Sequence, residues 1–304
     1  MESLVYKNLK WTIIEQTSYR DVEWLEQNFH FHPLDLKDCI GVTQRPKIDL
    51  YDDYLFLVFH FPQYDREQRR IRIQELNVFI GQEYVITLTN EPIPALRDYF
   101  NEYREKINRD PEYKALQNSS GYLLYKILDR LFSVSQPAVD IIGEKLTLVE
   151  EEIFGAHRQN ATMDLSIVRR NILTYQKIFE PQLHILDRLV RLRRSFLPDE
   201  LSVYYDDIHD SLERTWSIIQ GYREIVSGLD RTNEALASQR LNDIIKTLTV
   251  ISVVTIVPSM IINIYSMNIR LPFATNTKIF FILTGIFFLI MLATYLTLRK
   301  RKLA

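Results

Sequence analysis

Hydrophobic and polar positions are unevenly distributed along this chain. Two runs near its C-terminal end carry no formal charge, 23 residues from Thr247 to Ile269 and 20 from Ile279 to Leu298. At about 1.5 Å rise per residue, helices of these lengths reach roughly 30–35 Å, enough for a hydrocarbon core of about 30 Å. A helix buried in a soluble core is also apolar, but two such runs separated by nine residues favour a membrane hairpin. The connecting stretch, Arg270 to Lys278, has length only for the turn.

Ahead of residue 119 the pattern is mixed. Tyr54–Phe61 is a continuous apolar run, Ile71–Ile80 alternates, and Tyr84–Leu88 is short and β-branched; all three predict strands. Short helices are expected over Tyr19–Asn28 and over Ile93–Lys106, the second entered through Pro92 and Pro94. From Ser119 the texture becomes that of long helices. Ser120–Phe154 and Thr162–Phe196 are expected to pair antiparallel around Gly155–Asn160, with Pro137 and Pro181 interrupting them. Pro198-Asp199-Glu200 ends one element and caps the next.

No proline follows Ser202 until Pro258, so a single helix of about 65 residues, roughly 100 Å long, can run into the first apolar stretch. An uncapped helix of that length needs partner helices, which implies self-association. Pro258 lacks an N–H and leaves the Val254 carbonyl without its usual donor, which predicts a bend.

The fold class expected is therefore an α+β cytoplasmic domain (1–118) with a long-helix hairpin and stalk (119–246), joined to an all-α membrane domain. The latter comprises a first transmembrane helix (247–269), an extracytoplasmic loop (270–278), a second transmembrane helix (279–298) and a basic tail (299–304). The tail, Arg299-Lys300-Arg301-Lys302, carries four positive charges against two in the loop, Arg270 and Lys278. The positive-inside rule places the tail in the cytoplasm, and two crossings place the N-terminal domain there too. The start, Met1-Glu2-Ser3, reads as no signal peptide, and the expected location is the cell membrane.

Composition narrows the function classes. With 37 basic and 39 acidic residues the net charge is −2, so no bulk charge marks a nucleic-acid binder. A single cysteine, Cys39, rules out an intramolecular disulfide. The eight glycines form no phosphate-cradling loop and no nucleophile motif occurs, so an enzyme is not expected and no organic cofactor is called for. His30 and His32 lack the clustered ligand spacing of a zinc site.

The first apolar run carries one further pattern. Asn242, Thr249, Ser252, Ile256, Ser259, Asn263 and Ser266 recur at steps of three, four or seven, with Ile245 in the same row. That is one stripe at the 3.5-residue period of a left-handed bundle. Small polar residues commonly line contacts between membrane helices, so packing is one reading. A water-lined pathway made by several copies is the other, and Asn263 and Asn268 favour it, because amides in a span face protein or water.

At Tyr265-Ser-Met-Asn268, closing the first run, the chain resembles the CorA family of magnesium transporters, which has Gly-Met-Asn here, normally after Tyr. Asn242–Thr249 resembles that family's entry to its pore helix, Glu224–Asp230 its stalk, and His32–Asp38 with Arg45–Asp49 its N-terminal domain. The resemblance covers essentially the whole chain. It implies a homopentameric funnel in the lipid bilayer that conducts divalent cations, Mg²⁺ first among them.

In that frame Tyr265, Ser266, Met267 and Asn268 form the selectivity filter, and Asn242, Leu248, Thr249, Ser252, Ile256, Ser259 and Asn263 line the pore. Leu248 and Ile256 would form a hydrophobic constriction. The family's regulatory Mg²⁺, held between subunits by one N-domain acid and one stalk acid, maps best onto Asp65 and Asp207. Two departures stand out. Ser266 replaces the family's glycine, and the loop carries no acid. The alternatives are a transporter of zinc or another divalent cation in the same superfamily, or a non-conducting sensor or scaffold of that fold.

Overall fold

The computed structural model describes residues 1–41, 43–109, 119–155, 161–267 and 277–300. They group into two compact units, Met1–Leu229 and Asp230–Ala304.

The first unit is built on a six-stranded sheet. Its strands are β1 (Glu2–Tyr6), β2 (Leu9–Glu15), β3 (Lys47–Leu50), β4 (Tyr54–Asp65), β5 (Arg70–Gly81) and β6 (Tyr84–Thr89), in the order β1-β2-β6-β5-β4-β3. Only β2 and β6 run parallel; every other neighbouring pair is antiparallel. The three strands expected from the pattern are present, β4 and β5 extended to 12 residues each by a hairpin. Strands β1, β2 and β3, and helix α2 (Pro33–Asp38), went unread in the sequence. They are short, and the Lys10–Glu15 to Tyr84–Thr89 pairing spans a gap that no local pattern reports.

Both sheet faces are covered. Tyr54, Phe56 and Val58 point with Phe79, Ile86 and Leu88 towards α1 (Tyr19–Asn28) and α2, packing on Leu25, Phe31, Leu36 and Cys39. Helix α1 starts on a capping box: Ser18 Oγ accepts the Asp21 N–H while the Asp21 carboxylate accepts the Ser18 N–H at 2.9 Å. The other face meets α3 (Pro94–Arg109), α4 (Ser120–Ser135) and α6 (Ala161–Arg191), and α5 (Pro137–Phe154) lies against α6.

Pro137 does interrupt the helical run, as the first residue of α5, where its missing N–H is one of the orphans of a helix start. Pro181 does not: α6 is continuous through it and ends at Arg191, short of Phe196. The adjoining Gln182, fully buried, holds α6 on the sheet by accepting the His60 N–H at 2.8 Å and donating to the Ile178 carbonyl at 2.9 Å. A 3-10 turn, Asp199–Leu201, then leads into α7 (Ser202–Tyr265), a single 64-residue helix, and α8 (Thr277–Lys300) closes the chain.

Among the described residues no helix is long and apolar enough to cross a membrane. The two charge-free runs fall on the end of α7 and on α8. In them the side chains of Val257, Pro258, Ile261, Ile262 and Tyr265, and of Ile279, Phe280, Leu283, Ile290 and residues 294–300, lie outside the described residues.

Candidate cation sites

The two acids expected to regulate the protein sit on different elements of the first unit. Asp65 ends β4 at the tip of its hairpin with β5. Its carboxylate accepts the Gln68 N–H at 2.9 Å and pairs with Arg72 Nε at 2.8 Å. The Gln68 N–H, followed by the Arg72 charge, holds the Asp65 carboxyl below the usual aspartate range, so it stays anionic in mild acid. A divalent cation binding Asp65 would have to displace Arg72, a neighbour that the turn motif alone did not reveal. Arg72 becomes a neighbour only through the register that sets Asp65 opposite Arg70.

The hairpin is fastened to α6. Asn171, buried, accepts the Ile71 N–H at 3.0 Å and donates to the Arg69 carbonyl at 3.1 Å, and Arg69 reaches Asp164 at 2.8 Å. Arg69 adopts a positive φ of 51° in the turn, a left-handed conformation that costs a non-glycine residue about 1–2 kcal/mol. These bonds hold that turn in place and with it the position of Asp65.

Asp207 is exposed near the start of α7. The helix start is fixed by its buried neighbour Tyr205, whose hydroxyl donates to the Gly121 carbonyl at 2.7 Å. Gly121 is required there, because a Cβ would run into the Phe196 carbonyl and the Leu197 and Leu201 side chains. Beside Asp207, the side chains of Asp206, His209 and Asp210 place their ligand atoms within 4.8 Å of one another. Their i, i+3, i+4 spacing on one helix was the signal available in the sequence.

In the second unit the expected pathway residues share the continuous helix α7. Asn242, Leu248, Thr249, Ile256, Ser259 and Asn263 are exposed, and Ser252 is partly buried. The hydroxyls of Thr249 and Ser259 donate to the carbonyls one turn back, Ile245 at 2.8 Å and Thr255 at 2.9 Å. Their protons are thus engaged with the helix, and each oxygen keeps lone pairs for an outside donor. Leu241, Ile244, Ile245, Leu248, Ile251 and Ile256 are all more than half exposed on this helix, a large apolar surface for one chain to leave uncovered. At the expected filter Ser266 and Met267 form an exposed turn, with the Met267 N–H donating to the Ile264 carbonyl at 3.3 Å. Asn268 and Arg270 lie outside the described residues, as does the Tyr265 side chain.

The family model described as "CorA-like Mg2+ transporter protein" matches residues 6–300. The Bacillus subtilis protein YfjQ is 28% identical over 272 residues, which is 88% of this chain and 82% of that one. The cobalt/magnesium transport protein CorA of Thermotoga maritima is 26% identical over 249 residues, 81% of this chain and 69% of its own. In fold, the chain is similar to the solved structure of the CorA magnesium transporter from Methanocaldococcus jannaschii, with a TM-score of 0.81 at 17% identity, covering 98% of this chain and 93% of that one.

Proposed function

The chain belongs to the CorA-like Mg²⁺ transporter family, and from that premise we propose that it is a homopentameric channel for divalent cations, Mg²⁺ foremost, in the cell membrane. Members of this family are ion transporters and not enzymes. The observation that carries the reading is the uncovered row on α7, where apolar residues alternate with amides and hydroxyls. Such a row suits neither bulk water nor a closed core. Five copies turned to a common axis give it a use, the apolar flanks meeting neighbours or lipid and the Asn242 to Asn263 stripe lining a pathway.

Mg²⁺ gives up its water reluctantly, so the ion passes hydrated. Its water protons point outward and require acceptors. The Ser259 oxygen and a ring of Asn268 amide oxygens supply acceptors without the charge that would trap the ion. Leu248 and Ile256 close the path by dewetting when the helices move together. Both chain ends lie on the cytoplasmic side, where Asp65 of one subunit and Asp207 of a neighbour bridge a regulatory Mg²⁺. When cytoplasmic Mg²⁺ falls, the two carboxylates repel and favour the open arrangement.

The test is uptake into liposomes holding the purified protein, compared across Mg²⁺, Co²⁺, Ni²⁺ and Zn²⁺. Saturable Mg²⁺ uptake, together with a native mass of five chains in mild detergent, supports the reading. Zn²⁺ uptake without Mg²⁺ uptake replaces it with the zinc alternative. No uptake of any cation by a correctly assembled protein makes it a non-conducting scaffold, a reading favoured by Ser266 and by the two loop bases.

A further inference from the structure

The sheet face that buries Tyr54, Phe56 and Val58 continues to His60. The strand register pairs His60 with Glu75 and Val58 with Asn77, so three polar side chains meet on an otherwise apolar face. They are 5%, 8% and 1% exposed for His60, Glu75 and Asn77 respectively. The Glu75 carboxylate is oriented from both sides. Its Oε2 accepts the Gln44 N–H at 2.7 Å and its Oε1 accepts the Asn77 side-chain N–H at 2.9 Å. Both donors are neutral. Lys47, on the adjoining strand β3, is engaged by Asp38 at 2.8 Å and by Asp49 at 2.5 Å.

His60 Nε2 lies 3.8 Å from Glu75 Oε2, beyond hydrogen-bonding distance. Neither His60 Nε2 nor Asn77 Oδ1 meets a hydrogen-bond partner. A buried carboxylate is costly without a compensating charge, and buried acceptors are costly without donors.

We propose that His60, Glu75 and Asn77 form a binding site for a borderline divalent transition metal, Zn²⁺, Co²⁺ or Ni²⁺, ligated by His60 Nε2, a Glu75 carboxylate oxygen and Asn77 Oδ1. Imidazole together with carboxylate suits these ions, whereas Mg²⁺ prefers an all-oxygen shell. With metal–ligand bonds of about 2.0–2.1 Å, tetrahedral ligands stand about 3.3 Å apart, so the 3.8 Å gap closes with a shift of a few tenths of an ångström on either side. A single water is the competing occupant. It satisfies all three groups only when His60 carries its proton on Nε2, and it leaves the Glu75 charge in place. The site lies five residues along β4 from Asp65, so an ion there stiffens the same hairpin that carries the proposed Mg²⁺ acid. It is distinct from that acid in its ligands and in the ion it selects.

The experiment uses the full-length protein in detergent, stripped with a chelator and titrated with Co²⁺ alone, following the visible absorption of bound Co²⁺. The expected result is a saturable spectrum of nitrogen and oxygen ligation that Zn²⁺ abolishes and a large excess of Mg²⁺ leaves in place. His60→Gln weakens it by more than about tenfold, the scale on which loss of even a supporting partner acts at metal sites. Asn77→Asp tightens it by adding a carboxylate, and bound metal raises the melting temperature more in that variant than in the parent. Because His60→Gln alters a buried position in the sheet, its metal-free melting temperature and assembly state are measured alongside. Three results overturn the proposal: a Co²⁺ spectrum unchanged in a folded His60→Gln protein, a spectrum that Mg²⁺ displaces, or no tightening in Asn77→Asp. The first or third leaves a buried water or a protonated His60 as the occupant, and the second assigns the signal to the Mg²⁺ sites.

Discussion

The side-chain carbonyl of Gln182 accepts the backbone N–H of His60 at 2.8 Å, across 122 residues of sequence. Strand β3 begins at Lys47, opposite Val58, so the edge of β4 beyond Val58 has no β3 residue to pair with. Gln182 takes over as acceptor, and its own amide is satisfied by the Ile178 carbonyl. Replacing it with methionine keeps most of the volume and strands a buried N–H. The expected cost is about 1–3 kcal/mol. Hydrogen exchange read on peptides covering β4 should show the His60 amide exchanging faster in Gln182→Met; an unchanged rate would mean that another group supplies the acceptor.

Asp65 offers a second prediction through Arg72. The arginine and a divalent cation compete for the same carboxylate, which is paired at 2.8 Å. Arg72→Gln should therefore increase the protection that Mg²⁺ gives against proteolysis, and Asp65→Asn and Asp207→Asn should each reduce it. Removing Arg72 also takes away one of the influences that lower the Asp65 pKa, so protection by Mg²⁺ should fade at a higher pH in Arg72→Gln than in the parent. Protection that is unchanged in the Asp65→Asn, Asp207→Asn double variant places the regulatory ion elsewhere.

Much of the first unit was legible in the sequence because β4, β5 and β6 carry apolar strand patterns and α1 and α3 carry helical ones. What could not be read depends on register. Arg72 beside Asp65, Asn171 on the hairpin turn and Gln182 on β4 are each fixed by pairings between distant segments. The prolines illustrate the same limit. Pro137 and Pro181 look alike in sequence, yet one begins a helix and the other sits inside one. The stripe on α7 was readable from its period, but not that Thr249 and Ser259 bond to their own helix. Local pattern cannot report a hydroxyl rotamer.

Asp35 gives a pH dependence whose sign can be worked out. It is 1% exposed on α2, where the Tyr54 hydroxyl donates to it at 3.0 Å. Burial raises its carboxyl above the ordinary aspartate range, and the Tyr54 and Tyr51 hydrogen bonds only partly oppose this. The folded state thus binds a proton more tightly than the unfolded chain. This group's contribution to stability is full below the unfolded value and is lost as pH rises through the raised folded value. Asp35→Asn has no such titration. The melting temperature of Asp35→Asn relative to the parent should therefore increase as pH rises across that window. A difference independent of pH would mean that Asp35 ionises normally in the fold.

Ser266 sits in the exposed turn that follows α7, at the position where the family has glycine. Glycine lets backbones crowd and permits dihedrals that other residues avoid. Serine adds a hydroxymethyl group, repeated five times in a pentamer, which either narrows the mouth or supplies five hydroxyls to the hydration shell of the ion. The second outcome is expected, because the side chain is small and the same helix already presents Ser259 and Asn263. Arg270 and Lys278 point to the same dependence. With no loop acid to concentrate cations, and two bases repelling them, the mouth must rely on dipoles at close range. In the liposome assay Asn268→Ala should abolish selective Mg²⁺ uptake, Ser266→Ala should lower it, and Ser266→Gly should leave it working. Should Ser266→Gly instead switch on uptake in a silent parent, serine is the block, and the native chain is a scaffold that has kept the architecture of a channel.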